Sequence, residues 1–162
     1  MNAWPEPVER VAAVLRSAGV DARIEEFPAG TPTAAAAALA IGCEPEEIVK
    51  SLVFVCDGRP VLVLVPGDRR ADPNKVAAAA EAGYARVARP EEVHAATGFE
   101  PGAVAPFPAA AVTRVLLERE LLLHDTVWAG AGTTRHMLGL SPVDLLRLAR
   151  AEPVDLSELD EE

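Results

Sequence analysis

Cysteines are scarce in this chain, and long apolar runs are missing. Cys43 and Cys56 are its two cysteines, and their separation fits neither a metal clamp nor a CxxC redox pair. So thin a cysteine content favours a reducing, cytoplasmic setting. No apolar run reaches the roughly 18–20 residues that a membrane helix needs. The opening MNAWPEPVER also lacks the basic and apolar regions of a secretory signal, so no membrane partner is expected.

Basic residues are in deficit, with 15 Lys and Arg against 25 Asp and Glu and a formal net charge of −10. Such a chain is a poor general binder of DNA, because phosphate binding needs a basic face. An enzyme that touches only the end of a nucleic acid is still compatible with this charge. All the basic side chains except Lys50 and Lys75 are arginines. A lysine that persists in such a chain is a candidate for a role that needs a compact ammonium, although two can also remain by chance.

The common catalytic signatures are absent as well. The chain has no GxSxG nucleophile elbow and no HExxH motif, and His94, His124 and His136 are scattered. The glycine-rich stretch GAGTT at 130–134 is not a GxGxxG motif and lacks the lysine of a phosphate loop. The sequence therefore predicts neither a metal site nor a cofactor.

The remaining pattern is that of one globular domain over residues 1–162, with 50% hydrophobic and 25% charged residues. Apolar spacing and capping residues predict helices at about 5–17, 31–42, 72–82, 90–97 and 141–150, the second starting at Thr31 or Thr33. Strands are expected at 22–27, 84–88, 112–118, 125–130 and 135–140, and a hairpin at 48–68 around Asp57-Gly58. The mixture favours an α/β domain of the α+β type, with a mixed sheet or barrel and surrounding helices, over a doubly wound parallel sheet. The acidic tail, about 157–162, is expected to fray.

Lys50 is the most informative single residue. In the strand-like run IVKSLVFV it shares one face with Leu52 and Phe54, while Val49 and Val53 share the other. Because both faces are apolar, the lysine must either reach solvent at an edge of the strand or hold its ammonium in a pocket. An ammonium in a pocket needs a counter-ion or an anionic ligand. A second basic group, Arg69, Arg70 and Lys75, is a candidate for contacting the phosphates of a nucleic-acid end, or is an ordinary solvated surface.

Five segments in this order and spacing resemble one known family: KSLVFVCDGRPVLVLVPGD, ADPNKVAAA, TGFEPGAVAPF, WAGAG and LSPVDLLRL. Over about residues 8–156 the chain resembles the YbaK-like trans-editing deacylases, which are similar to the editing insertion of bacterial prolyl-tRNA synthetase. The resemblance implies a mixed barrel with outer helices, and it makes Lys50 the essential residue. It further implies that two loops hold the aminoacyl-adenosine end, through Gly98, Gly102, Ala103, Pro106, Gly130, Ala131 and Gly132.

The activity implied is hydrolysis of the ester of a mischarged tRNA, with the tRNA acceptor end, and an aminoacyl-tRNA synthetase, as partners. Small amino acids such as cysteine or alanine on proline tRNA are the expected substrates. The chain departs from the family at residues 102–106, GAVAP instead of GGxSP, and at 129–132, AGAG without a following lysine. Cysteine, alanine, serine and threonine esters therefore all stay open, as does the attacking group, water or a hydroxyl or thiol of the substrate. The alternatives are a non-catalytic module that binds an aminoacyl end or a nucleotide, and Schiff-base chemistry at a desolvated lysine.

Overall fold

The computed structural model describes residues 4–109 and 111–159. Its five α-helices are Glu6–Ala18 (α1), Ala34–Ile41 (α2), Pro73–Ala79 (α3), Pro90–Thr97 (α4) and Pro142–Ala149 (α5). Its strands are Arg23–Glu26 (β1), Ile48–Cys56 (β2), Arg59–Pro66 (β3), Arg69–Ala71 (β4), Ala85–Val87 (β5), Arg114–Glu118 (β6), Val127–Gly130 (β7), His136–Leu140 (β8), Glu152–Val154 (β9) and Ser157–Leu159 (β10). Short 3-10 helices lie at Pro45–Glu47 and Arg119–Leu123. None of the helices described is long and apolar enough to cross a membrane.

Eight of the strands form one sheet in the order β1-β8-β7-β2-β3-β6-β9, with β5 pairing with β2 off this path. The sheet is mixed, because β3 runs antiparallel to β2 whereas β7 runs parallel to β2 and β6 parallel to β3. The remaining strands, β4 and β10, form a separate antiparallel ribbon. The predicted mixed α/β fold is therefore confirmed.

The central hairpin follows from its turn. Asp57 and Gly58 both have positive φ, 50° and 82°, as a two-residue type I′ turn requires, and Cys56 pairs with Arg59 across it. Helix ends were also well marked in the sequence. Thr33 caps α2 by accepting a hydrogen bond from the Ala36 N–H at 3.0 Å, and Gly42 ends that helix in the left-handed conformation.

The two faces of β2 pack against different parts of the core. Val49 and Val53 join the largest cluster, which also contains residues of α1 and α5. On the opposite face Phe54 joins the cluster beneath α3, whereas Ile48 joins a third cluster beneath α2. Lys50 lies between these last two clusters on the same face, so the strand changes packing partners at the lysine.

The expectation of a fraying tail is corrected by the structure. Ser157–Leu159 pairs with Arg69–Ala71, and both Leu156 and Ser157 are buried. The sequence suggested fraying because the tail is acidic, but its carboxylates have basic partners far away along the chain, and Leu156 supplies an apolar anchor. Residues 160–162 of that prediction lie outside the described residues.

Candidate active site

A cleft of about 580 Å³ opens beside the first half of β2. Its walls come from the start of α2, from β2, and from the turns around residues 67, 102 and 130–134. The lining residues are Thr31, Pro32, Thr33, Ala34, Ala35, Ala37, Ile48, Val49, Lys50, Ser51, Leu52, Gly67, Gly102, Val104, Gly130, Thr133, Thr134 and Met137. Apolar groups and hydroxyls thus share the wall with a single basic side chain, Lys50.

The cleft lies beside a gap in the edge of the sheet. On that edge β7 pairs with Ile48 and Val49, and β5 pairs with residues 54–56. Within the described ranges, residues 50–52 have no strand neighbour on this side. The Ala88 N–H donates to the Val53 carbonyl at 3.0 Å, which shows that the odd-numbered residues of β2 turn their peptide groups toward this edge. The peptide groups of Ser51 therefore face the gap beside Lys50.

Lys50 is half-buried in the wall of the cleft, and its ammonium donates a hydrogen bond to the backbone carbonyl of Arg69. This hydrogen bond to a backbone carbonyl fixes where the lysine nitrogen lies. The strand-end alternative, a lysine that simply extends into solvent, does not describe this geometry. The arrangement can stabilise negative charge that develops on a substrate oxygen in the cleft.

Ser51 was not singled out from the sequence, where its context gave no sign of a nucleophile. Its Oγ is buried and forms no hydrogen bond with the described residues, although the residue lines the cleft. A buried hydroxyl without a protein partner is unusual in a folded chain. The signal available in the sequence was its position next to Lys50.

Three glycines line the cleft, and at two of them a neighbouring segment approaches closely. A Cβ on Gly67 would lie 2.5 Å from the Pro45 carbonyl oxygen, and one on Gly130 would lie 3.1 Å from the Val104 carbonyl oxygen. Gly102 has φ of 82° with no atom within 4 Å of an added Cβ, so its requirement is conformational. Of the predicted substrate-binding residues, Gly102 and Gly130 line the cleft, and Gly67 was missed because its neighbours are distant in sequence.

The other predicted substrate-binding residues do not line this cleft. Gly98 ends α4, and its carbonyl accepts a hydrogen bond from Arg10 at 2.8 Å. Gly132 packs so closely on Pro7 that an added Cβ would lie 2.8 Å from its backbone. The remaining three are buried in the core or line another groove: Ala103, Ala131 and Pro106. The resemblance marked whole loops, whereas only part of each loop reaches the cleft.

The three basic candidates for tRNA contact are each paired with a carboxylate. The pairs are Arg69–Glu120 at 3.8 Å, Arg70–Glu158 at 2.9 Å and Lys75–Asp155 at 3.1 Å. The hydrogen bond from Lys75 lowers the pKa of Asp155, so this carboxylate is charged at neutral pH. Phosphate would have to compete with these partners, and the local surface is less basic than the sequence suggested.

Four threonine hydroxyls near the cleft were also missed: Thr31, Thr33, Thr133 and Thr134. Thr133 Oγ1 lies 2.6 Å from Nδ1 of the buried His136, which fixes the threonine in place. Threonines are common in turns, so the sequence offered no reason to select these. Among the described residues, no group of three or more His, Cys, Asp and Glu side chains is arranged to hold a metal ion.

Residues 28–148, which contain every lining residue of the cleft, match the family model described as the aminoacyl-tRNA editing domain. The chain belongs to the aminoacyl-tRNA editing domain family. This confirms the family that the sequence resemblance indicated. The match includes β2 with Lys50 and all three glycines that line the cleft.

Similar proteins are consistent with this assignment. The editing domain is 34% identical to the uncharacterized protein YwhH of Bacillus subtilis over 123 residues, which cover 75% of this chain and 78% of that protein. It is 36% identical to the proline–tRNA ligase of Nitratidesulfovibrio vulgaris over 112 residues, 69% of this chain but 19% of the ligase. A crystal structure described as a candidate trans-editing enzyme for prolyl-tRNA synthetase is 38% identical, with a TM-score of 0.88 over 96% of this chain and 99% of that one.

Proposed function

We propose that this editing domain hydrolyses the ester bond of mischarged aminoacyl-tRNA, with Lys50 as the catalytic residue. The observation that carries the proposal is the half-buried ammonium of Lys50 in the wall of a cleft, within the part of the chain that matches the editing family. A positive charge held at a fixed place suits a substrate that is already an activated ester, because such a substrate needs no protein nucleophile.

The reaction can be written with these groups. Water attacks the ester carbonyl carbon, and the carbonyl oxygen becomes negative in the tetrahedral intermediate. The Lys50 ammonium and the Ser51 N–H, which faces the open stretch of the sheet edge, are the donors available for that charge. The carbon–oxygen bond to the ribose then breaks, the proton from water passes to the ribose oxygen, and free amino acid and tRNA leave.

A small amino acid on proline tRNA is the proposed substrate. The names of the ligase and of the similar crystal structure both refer to the prolyl system. The lining of the cleft includes short apolar side chains, Ala34, Ala37 and Val104, together with Met137. Such a wall accepts a methyl or a thiol group. It discriminates weakly between them, because one methylene contributes only about 1–3 kcal/mol in an apolar pocket.

A deacylation panel tests the proposal. Purified protein is mixed with proline tRNA charged with alanine, cysteine, serine, threonine or proline, and the remaining ester is followed with time. We expect fast loss of at least one small mismatched ester and no loss of the prolyl ester. The same aminoacyl groups on a second tRNA separate recognition of the amino acid from recognition of the tRNA.

The same material distinguishes the alternatives. Binding of mischarged tRNA without hydrolysis of any ester would identify a non-catalytic binding module. Schiff-base chemistry at Lys50 needs an aldehyde or ketone substrate, so borohydride added with such a carbonyl compound would trap a covalent adduct on Lys50, whereas ester hydrolysis leaves no adduct. We expect hydrolysis and no adduct.

A further inference from the structure

The carbonyl that receives the Lys50 ammonium belongs to a short strand with a single strand partner among the described residues. Arg69 is the first residue of β4, which is three residues long and pairs with β10 in a ribbon separate from the main sheet. A two-stranded ribbon is marginally stable by itself. The place of the Arg69 carbonyl therefore depends on how firmly β10 is held.

The pairing register explains why this carbonyl faces Lys50. The Asp72 N–H donates to the Leu156 carbonyl at 2.9 Å, which sets the alternation of the ribbon. Two residues further along, Glu158 and Arg70 exchange backbone hydrogen bonds across the ribbon. Arg69, one residue away, consequently turns its peptide groups to the opposite side.

A buried carboxylate holds the start of β10. Glu118, 1% exposed, accepts hydrogen bonds from the Leu156 N–H at 2.9 Å and from the Ser157 hydroxyl at 2.6 Å. Lys75 adds bonds to Asp155 and to the Ser157 carbonyl, each at 3.1 Å. Charge-assisted bonds at a buried site are strong, so this end of the ribbon is firmly fixed to the domain.

We propose that residues 155–159, anchored by Glu118, are a positioning element for the catalytic ammonium, acting through β4 and the carbonyl of Arg69. The proposal rests on the proposed function, because it takes Lys50 as the catalytic residue. None of residues 155–159 lines the cleft, so their effect is on the place of the Lys50 nitrogen and not on substrate contact. Displacing a catalytic group by about 1 Å can lower a rate by about a hundredfold.

The test loosens the ribbon in the full chain. Glu158→Pro removes the backbone N–H that donates to Arg70, whereas Glu158→Ala keeps that N–H and removes only the side chain. Ser157→Ala, a milder change, deletes one bond to Glu118. Leu145→Ala in α5 is the control for general destabilisation, because Leu145 is fully buried and does not line the cleft.

The chain's two lysines allow a direct readout of Lys50. Reductive ¹³C-methylation labels Lys50 and Lys75 together with the terminal amine, and a Lys50→Arg sample assigns the Lys50 signal. Methylated protein is used for spectra, and unmethylated protein for kinetics. A structural role alone would change the melting temperature but would leave the Lys50 signal and the kcat of the folded fraction in place.

For Glu158→Pro we expect kcat to fall about tenfold or more, KM to stay within about twofold, and the Lys50 signal to shift. Glu158→Ala should lose far less, and Leu145→Ala should lose stability with an unchanged Lys50 signal. An unshifted signal or an unchanged kcat in folded Glu158→Pro would overturn the proposal. If that variant fails to fold, Ser157→Ala decides by the same two readouts. Should Lys50→Ala remain active, the proposed function fails, while the signal shift still tests the positioning by itself.

Discussion

Gly102 and Gly58 form a matched pair that separates backbone strain from an effect on the cleft. Both have φ of 82°, and an added Cβ would meet no atom within 4 Å at either position. Gly58 lies in the hairpin turn between β2 and β3, whereas Gly102 lines the cleft. Substituting alanine at each therefore imposes the same conformational penalty in two different places.

The expected loss of stability is similar for the two variants. A residue with a Cβ in the left-handed region costs about 1–2 kcal/mol. In a chain of this length each 1 kcal/mol corresponds to a fall in melting temperature of about 2–4 °C. Neither substitution adds a steric clash, so no larger destabilisation is expected from the folded structure.

Only Gly102→Ala should lose activity, on the order of tenfold, because relaxation of the strained loop moves one wall of the cleft. The assay is single-turnover deacylation of the best ester in the panel, beside thermal melting of both variants. Equal activity and equal stability for the two variants would refute the reasoning. Gly102 would then serve the geometry of its turn alone.

Three further outcomes follow from the site and its surroundings. Gly130→Val should lower activity more than stability, because its Cβ would press on the Val104 carbonyl at 3.1 Å; equal losses in kinetics and melting would contradict this. Arg86 lowers the pKa of Glu92 to about 2 from 4.5, so the folded form gains stability above about pH 4.5 that disappears toward about pH 2. Between about pH 4.5 and pH 2 the melting temperature should fall less steeply for Glu92→Gln than for the unchanged chain. Identical slopes of melting temperature against pH would refute that. Titration of uncharged tRNA at several salt concentrations should give micromolar or weaker binding, and log affinity against log salt should have a slope of about −2 or shallower. Tight binding with a steep slope would instead reveal a basic surface beyond Arg69, Arg70 and Lys75.

Local patterns in the sequence predicted most of the elements. The Asp57-Gly58 turn and the glycine after α2 each depend on residues a few positions apart, and each was identified correctly. The start of α2 was left between Thr31 and Thr33, and the structure selects Thr33 as the cap. Predicted strand boundaries shifted by at most two residues; the first predicted strand, 22–27, is Arg23–Glu26 in the structure. Such ends depend on pairing with other strands, which a local pattern does not contain.

The cleft was only partly predictable, because contacts between distant segments form it. Lys50 could be selected since a charge in an apolar strand is conspicuous. Gly67 could not, because its close neighbours Pro45 and Ala34 come from separate segments. The pairing of Arg70 with Glu158, 88 residues away, was invisible for the same reason, and it also accounts for the incorrect expectation about the tail.

The central claim, that the ammonium of Lys50 drives ester hydrolysis, is tested most directly by comparing Lys50→Ala and Lys50→Arg with the unchanged chain in single-turnover deacylation. The account predicts that alanine lowers the rate by about a hundredfold or more with the fold retained. Arginine should fail nearly as badly, because a planar guanidinium does not replace a compact ammonium held at the Arg69 carbonyl. A folded Lys50→Ala protein that keeps most of its activity on every ester hydrolysed by the unchanged chain would contradict the account.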